Sequence, residues 1–276
     1  MNKILENYWK VFSYGYVAHL VRYIALAGLA YLLFYVFLRR KTIHRKIQQL
    51  FPKGAEIRRE IFYSLSSLAI FAGVGVLTVM LRKAGLIQLY FDISKYGWTY
   101  LCISTVALIF LHDTWFYWTH RLMHTRRLFP IMHRVHHLSH NPTPWAAFAF
   151  HPTEAVVQAI VFPVVALFMP LHPLTALVWL FYMTLLNVLG HLGFEILPRG
   201  FVRHWWSRWH NTSVHHNMHH RHVNCNYGLY FNIWDRVMKT NHARYEEEYE
   251  RVTEGNREVQ GDSVSHRERA MTTGEK

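Results

Sequence analysis

From His120 to His137 the chain reads His120-Arg-Leu-Met-His124-Thr-Arg-Arg-Leu-Phe-Pro-Ile-Met-His133-Arg-Val-His136-His137, and further on it answers with His216-Asn-Met-His219-His220. Residues three and four apart share a helix face. His120 and His124, His133 and His136, and His216 and His219 are therefore each expected to present two imidazoles side by side. The doubled histidine closing two of the clusters adds a ring rotated by about 100° around the axis, so one helix can serve two neighbouring metal ions. A single histidine at a helix end is ordinarily a surface residue, and one His-x-x-x-His carries little weight. Three spaced clusters in one chain are hard to explain as solvated surface. Eight imidazoles exceed the needs of one four-coordinate zinc. They suit a two-metal centre, and nitrogen-rich ligation is compatible with iron.

The surroundings are apolar. The chain has 276 residues, is 51% hydrophobic and 16% aromatic, and still carries a net charge of +13. That combination implies apolar blocks separated by basic ones; a soluble nucleic-acid binder would lack the long uncharged runs. Cys102 and Cys225 form neither a Cys-x-x-Cys motif nor a disulfide framework, so the ligands are histidines. No short signal peptide is evident at the N-terminus.

Upstream of the first cluster, Tyr96–Leu111 is uncharged and continues through Trp115-Phe-Tyr-Trp118, which reads as a span delivering His120 and His124 to one membrane face. Ile61–Leu81 is another uncharged run, and Tyr23–Leu38, extended back to Tyr14, is a third. Residues 1–19 mix aromatics with a few charges, as expected at a membrane interface. The block Arg39–Glu60 holds eight Lys and Arg residues against Glu56 and Glu60. By the positive-inside rule it is cytoplasmic, which places the histidines on that side too. Downstream, Pro142 and Pro144 break the helix. Ala155–Met169 and Leu174–Gly190, joined by Pro170-Leu-His-Pro173, read as a hairpin that dips into or crosses the membrane and returns at His191. Trp205, Trp206 and Trp209 alternate with basic residues, which marks an interface more readily than a nucleic-acid surface. The expected fold is therefore all-α: an integral membrane bundle of about three spans plus a helical hairpin, with a cytoplasmic histidine-rich cap. Its parts are membrane spans over 1–111, a histidine-bearing region over 112–242, and a charged flexible tail over 243–276.

The three clusters resemble the histidine boxes of the fatty acid hydroxylase/sterol desaturase superfamily. Asn141-Pro-Thr-Pro-Trp145, Phe150-His-Pro152, Asn226-Tyr-Gly228 and Trp234-Asp-Arg236 add to the resemblance, which runs roughly from His112 to His242. It implies a membrane enzyme with a non-haem di-iron centre that uses O2 and two electrons to hydroxylate or desaturate a lipid C–H position. Where members of the family often carry Gly-Thr after the Trp-Asp-Arg segment, this chain has Lys239-Thr240. Some members carry a fused cytochrome b5-like domain; none fits here, so the electrons are expected from a separate ferredoxin- or cytochrome b5-like carrier.

On this reading His120, His124, His133, His136, His137, His191, His216, His219 and His220 hold two iron ions, with zinc an artefactual replacement. His191 is included because the hairpin must return to the histidine-bearing face. Asn187, one turn earlier on the same helix face, would be costly in a membrane helix without a partner. His215, Asn187, His112, His151 and Asp113 are reserve candidates, Asp113 as an acceptor orienting a ligand histidine. No catalytic residue beyond the ligands is assigned. The alternatives are another membrane di-iron enzyme, such as an alkane or carotenoid hydroxylase, a histidine-rich metal transporter or buffer, and a structural zinc site. A transporter would place its ligands near the bilayer midplane, whereas these clusters lie beyond the apolar runs.

Overall fold

The structure, a computed structural model, describes residues 3–255. Within that range the regular structure is helical, with isolated bridges such as Leu89 to Leu171 in place of strands. Helix α1 (Lys3–Tyr31) runs on through a π-helical turn, Leu32–Phe37, and is followed by α2 (Gly54–Lys83) and α3 (Gly97–Met123). The hairpin comprises α4 (Pro152–Ala159), α5 (Val161–Phe168) and α6 (Pro173–Gly190). Helix α7 (Ser213–His222) carries the last histidine cluster, and α8 (Tyr245–Glu254) closes the described chain.

Among the described residues, four helical segments are long and apolar enough to cross a membrane: Ile4–Phe37, Gly54–Lys83, Gly97–Met123 and Pro173–Gly190. Their exposed residues include Val21, Phe62, Ile103, Phe110, Leu177 and Phe181, an outer surface suited to hydrocarbon rather than water. The first segment is 34 residues long, well beyond the roughly 20 a bilayer needs, so its aromatic N-terminal turns can still lie at the boundary. Arg22, at the edge of the expected span, is half-buried in the bundle, and its Nε donates to Thr184 Oγ1 of α6 at 2.8 Å.

Local chemistry sets the helix ends. Lys53 precedes α2, and its backbone N–H donates to Glu56 at 2.6 Å, satisfying a group outside the helical ladder. Proline opens both α4 and α6, where its missing N–H costs nothing. The first hairpin leg, expected as one run, is instead two short helices that meet at Ile160. Pro163 lies within the first turn of α5, has no N–H to give and breaks the ladder there. The hairpin tip reaches the far end of the bundle: the Gln88 amide donates to the Ala166 carbonyl at 2.9 Å, and the Tyr90 amide to that of Leu171 at 3.1 Å. Gln88 and Tyr90 belong to the loop joining α2 to α3, so the hairpin extends as deep as those two helices. The main apolar core joins Tyr23 and Ala27 of α1, Leu68 of α2, Phe148 and Phe150, Met183 of α6, and Phe194.

The flexible tail expected from residue 243 does not begin there. Residues 245–254 form α8, whose Tyr245, Tyr249 and Val252 are buried against Ile47, Val202, Val214 and Met218. The charges of this segment lie on one side of the helix and hide an apolar stripe at i, i+4 and i+7 spacing. Residues 256–276 of that expected tail lie outside the described residues. Tyr249 also donates its hydroxyl to the Pro198 carbonyl at 2.8 Å. Tyr249→Ala should therefore cost about 3–5 kcal/mol. Exposed Glu247→Ala should leave the melting temperature of the detergent-solubilised protein unchanged.

Candidate metal centre

Nine imidazoles meet where α3, the Phe129–His137 turn, the end of α6 and α7 come together. One ring nitrogen from each of His120, His124, His133, His137 and His219 forms a group within 4.8 Å, and His136, His191, His216 and His220 form a second. The facing nitrogens are Nε2 atoms. His120 and His133 approach to 2.9 Å, His137 and His219 to 3.0 Å, and His216 and His191 to 3.0 Å. All nine except His124 are buried.

The split differs from the expected pairing. His133 goes with His137, not His136, and His216 goes with His220, not His219. At 3.6 residues per turn, i and i+4 diverge by about 40° while i and i+3 diverge by about 60° in the opposite sense. The nearer pair therefore shares one group and the third ring turns to the other. The doubled histidines are what make this possible: each short helix carrying one serves both groups.

Four of the nine outer nitrogens meet an acceptor of the kind that orients a metal ligand. His120 Nδ1 lies 2.8 Å from the Tyr227 carbonyl, His219 Nδ1 2.7 Å from that of Cys225, and His191 Nδ1 2.8 Å from that of Asn187. A carbonyl only accepts, so each of these Nδ1 atoms carries the proton and leaves an Nε2 lone pair facing inward. His133 Nδ1 lies 2.8 Å from the buried Glu154 carboxylate. Two clusters of inward ring nitrogens this close to one another, three of them with a lone pair fixed inward, fit cations at their centres. The donor set fits two metal ions that accept nitrogen.

Glu154 had no assigned role in the sequence, and its only signal was a carboxylate within an otherwise apolar hairpin. Glu195 was also missed. It accepts from the Val214 amide at 3.0 Å and so satisfies the start of α7, where Thr212 Oγ1 also accepts from the His215 amide.

The reserve candidates lie elsewhere. Asp113 does not orient a histidine: it accepts from the amides of Tyr230 at 2.7 Å and Phe231 at 3.2 Å, pinning that loop to α3. His112 Nδ1 meets the Tyr230 hydroxyl and the Trp179 indole. His151 bonds Thr153 at the start of α4. Asn187 touches the site through its backbone carbonyl, while its side chain donates to the Ala147 carbonyl at 2.5 Å. His215 faces away from its neighbour His216, towards Asn241 and Asp235. Asp235 itself gathers the loop before it, accepting from the amides of Tyr227 and Gly228. Burial pushes its carboxyl up, but hydrogen bonding and attraction by His215, with Thr240 and the Tyr227 amide, bring it down to about 2. Gly228 is required there: a Cβ would lie 2.6 Å from the Phe231 carbonyl oxygen.

A fatty acid hydroxylase family profile matches residues 105–240. The Delta(7)-sterol 5(6)-desaturase erg3C of Aspergillus fumigatus is 31% identical, over 80% of this chain and 72% of its own. The chain belongs to the fatty acid hydroxylase/sterol desaturase superfamily. The Delta(7)-sterol 5(6)-desaturase ERG3B of Gibberella zeae is 32% identical, over 80% of this chain and 65% of its own. Lathosterol oxidase of Mus musculus is also 32% identical, over 66% of this chain and 60% of its own. The matched region thus spans somewhat under two thirds of the length of these last two relatives. No solved structure matches the chain.

The departure at Lys239 has a structural meaning. Its φ is +55°, in the left-handed region that glycine enters freely and other residues enter at about 1–2 kcal/mol. Lys239→Gly should stabilise the protein by about 1 kcal/mol, read as a higher melting temperature. The imidazoles give a pH prediction. Burial, followed by neighbouring imidazoles, holds His136, His137, His216 and His220 well below the ordinary 6.5, and burial holds His191 near 4. In the unfolded chain these groups take up protons near 6.5, whereas in the folded chain they do not. Stability is therefore greatest above 6.5 and falls as the pH drops towards 4. Metal-free protein should lose on the order of 1 kcal/mol per buried imidazole between pH 7 and pH 5, checked by thermal melts.

Proposed function

We propose that this chain is a membrane-bound di-iron oxygenase that uses O2 and two external electrons to hydroxylate or desaturate a lipid C–H position. The observation that carries the reading is the pair of buried imidazole groups, of five and four nitrogens, above an apolar cavity. The cavity lies among α1, α2, α3 and the hairpin and holds about 900 Å³ not filled by protein, counting its open side. The names of the relatives support a sterol or similarly apolar substrate.

His120, His124, His133, His137 and His219 would hold one iron, and His136, His191, His216 and His220 the other. Iron bound there would supply the O2-derived oxidising power that side chains lack. The chain's own part is to orient, enclose and exclude water. Carbonyls of Tyr227, Cys225 and Asn187 fix three rings. Phe116 lies 4.8 Å from His120 and Phe150 5.2 Å from His136, ring to ring. Both rings also line the cavity, so they form the boundary a C–H bond must reach.

The basic loop at 39–59 supports a cytoplasmic position for this end of the bundle. There an acidic carrier, ferredoxin- or cytochrome b5-like, can reach exposed Arg126 and Arg127. Arg203, a further candidate for that surface, lies near Glu246 and Glu250 and is partly neutralised.

Protein purified without oxygen should contain about two irons per chain. His191→Ala removes one of four nitrogens from the second group and should leave about one iron per chain with activity lost; His44→Ala should keep both. Full iron and normal turnover in His191→Ala would exclude it as a ligand. Lipid extracts from cells with and without the protein, compared by mass spectrometry, should differ by one added oxygen or two lost hydrogens in one lipid class. No such difference would overturn the oxygenase reading.

A further inference from the structure

The cavity wall is largely apolar, and of its polar side chains His19, Thr78, His112 and Asn187 make hydrogen bonds within the protein while Gln158 does not. Gln158 lines the cavity from α4 and is 7% exposed. Neither its Oε1 nor its Nε2 has a hydrogen-bond partner. A buried amide without partners costs on the order of 1–3 kcal/mol per group, and nearly all such groups in folded proteins are satisfied. Because Gln158 lines the cavity, what fills the cavity is placed to supply that partner. Gln158 offers one acceptor and an N–H donor side by side. A carbonyl or ether oxygen would satisfy only the donor, and a hydrocarbon neither. A hydroxyl donates and accepts, and satisfies both.

Its position also gives an orientation. Gln158 lies one helical turn from Glu154, on the same face of α4, and Glu154 is the carboxylate 2.8 Å from His133 Nδ1. The opposite end of the cavity is lined by Thr78 of α2 and Ala176 of α6. Ala176 lies 15 residues before His191 on a nearly continuous helix, about 22 Å lower at 1.5 Å per residue. A ligand held at Gln158 would thus keep its polar end towards the imidazoles and its apolar body along the bundle.

We propose that Gln158 is a specificity-determining residue that recognises a hydroxyl on an otherwise apolar lipid, so that the cavity selects lipid alcohols over hydrocarbons of the same shape. The proposal rests on the lipid-oxidising reading for its biological meaning, but its test does not. Binding is measured on metal-free full-length protein in nanodiscs, where failure of the iron chemistry has no influence. The probes are cholestanol and cholestane, and octadecanol and octadecane, followed by quenching of tryptophan fluorescence and by thermal shift. Wild type should bind the alcohol of at least one pair 10-fold or more tighter than its hydrocarbon. Gln158→Leu, which keeps the bulk and removes the unmet polar atoms, should fold at least as well and bring the two affinities of that pair within about 2-fold.

Gly75→Trp controls for the place of binding. Gly75 lines the cavity, and nothing lies within 4 Å of a Cβ built there, so the helix can carry an indole at the cavity's edge. It should abolish alcohol binding. Equal affinity of wild type for both members of each pair, an alcohol preference that survives Gln158→Leu, alcohol binding that survives Gly75→Trp, or no binding of any probe would each overturn the proposal. Loss of iron or turnover with the alcohol preference intact would instead count against the oxygenase reading alone.

Discussion

The constraint on which the rest of this structure depends is that nine imidazoles must stay neutral while facing one another. Protonating them in a dry interior would set like charges about 3 Å apart, at a cost few folds could bear. The fold meets the constraint in two ways. Burial keeps protons away, and carbonyls of Tyr227, Cys225 and Asn187 take the Nδ1 protons of His120, His219 and His191. What remains is a set of inward lone pairs whose natural complement is a pair of cations.

Much of the surrounding architecture serves that set. Asp113 and Asp235 bind no imidazole of the two groups; they hold loops. Asp113 ties the Tyr230 segment to α3, and Asp235 gathers Tyr227 and Gly228, so that the Tyr227 carbonyl stands where His120 needs it. Glu195 and Thr212 complete the N-terminal end of α7, a ten-residue helix with five histidines that has little intrinsic reason to be helical. Helix α8 then covers α7 from outside. Asp113, which the sequence offered as the partner of a metal ligand, holds backbone instead, and Asp235 does the same for the loop that carries His120's acceptor.

The hairpin joins the two halves of the molecule. Its first leg brings Glu154 to His133, and its second delivers His191 to the second group. Its tip pairs with the loop between α2 and α3 at the opposite end. One element thereby fixes the length of the bundle, lines the apolar cavity and supplies part of the imidazole cluster. The break at Pro163 lies on the cavity wall, where an uninterrupted helix would run a straighter course.

The sequence by itself determined the membrane-bundle class, the superfamily and the gathering of the histidine clusters. These depend on composition and short spacing: uncharged runs long enough for hydrocarbon, and imidazoles repeated every three or four residues. It did not determine how the rings divide. His133 with His137 and His216 with His220 follow from helix rotation against a partner whose position no local spacing records. Nor did it reveal Glu154, Glu195 or the helix at 245–254, because a lone carboxylate and a charged segment look the same whether buried or solvated. The roles of Asp113 and His215 were likewise decided by what packs across from them, Tyr230 in one case and Asp235 in the other. Contacts between residues more than a hundred positions apart, such as Asp113 with Tyr230, exist only once the chain has closed on itself.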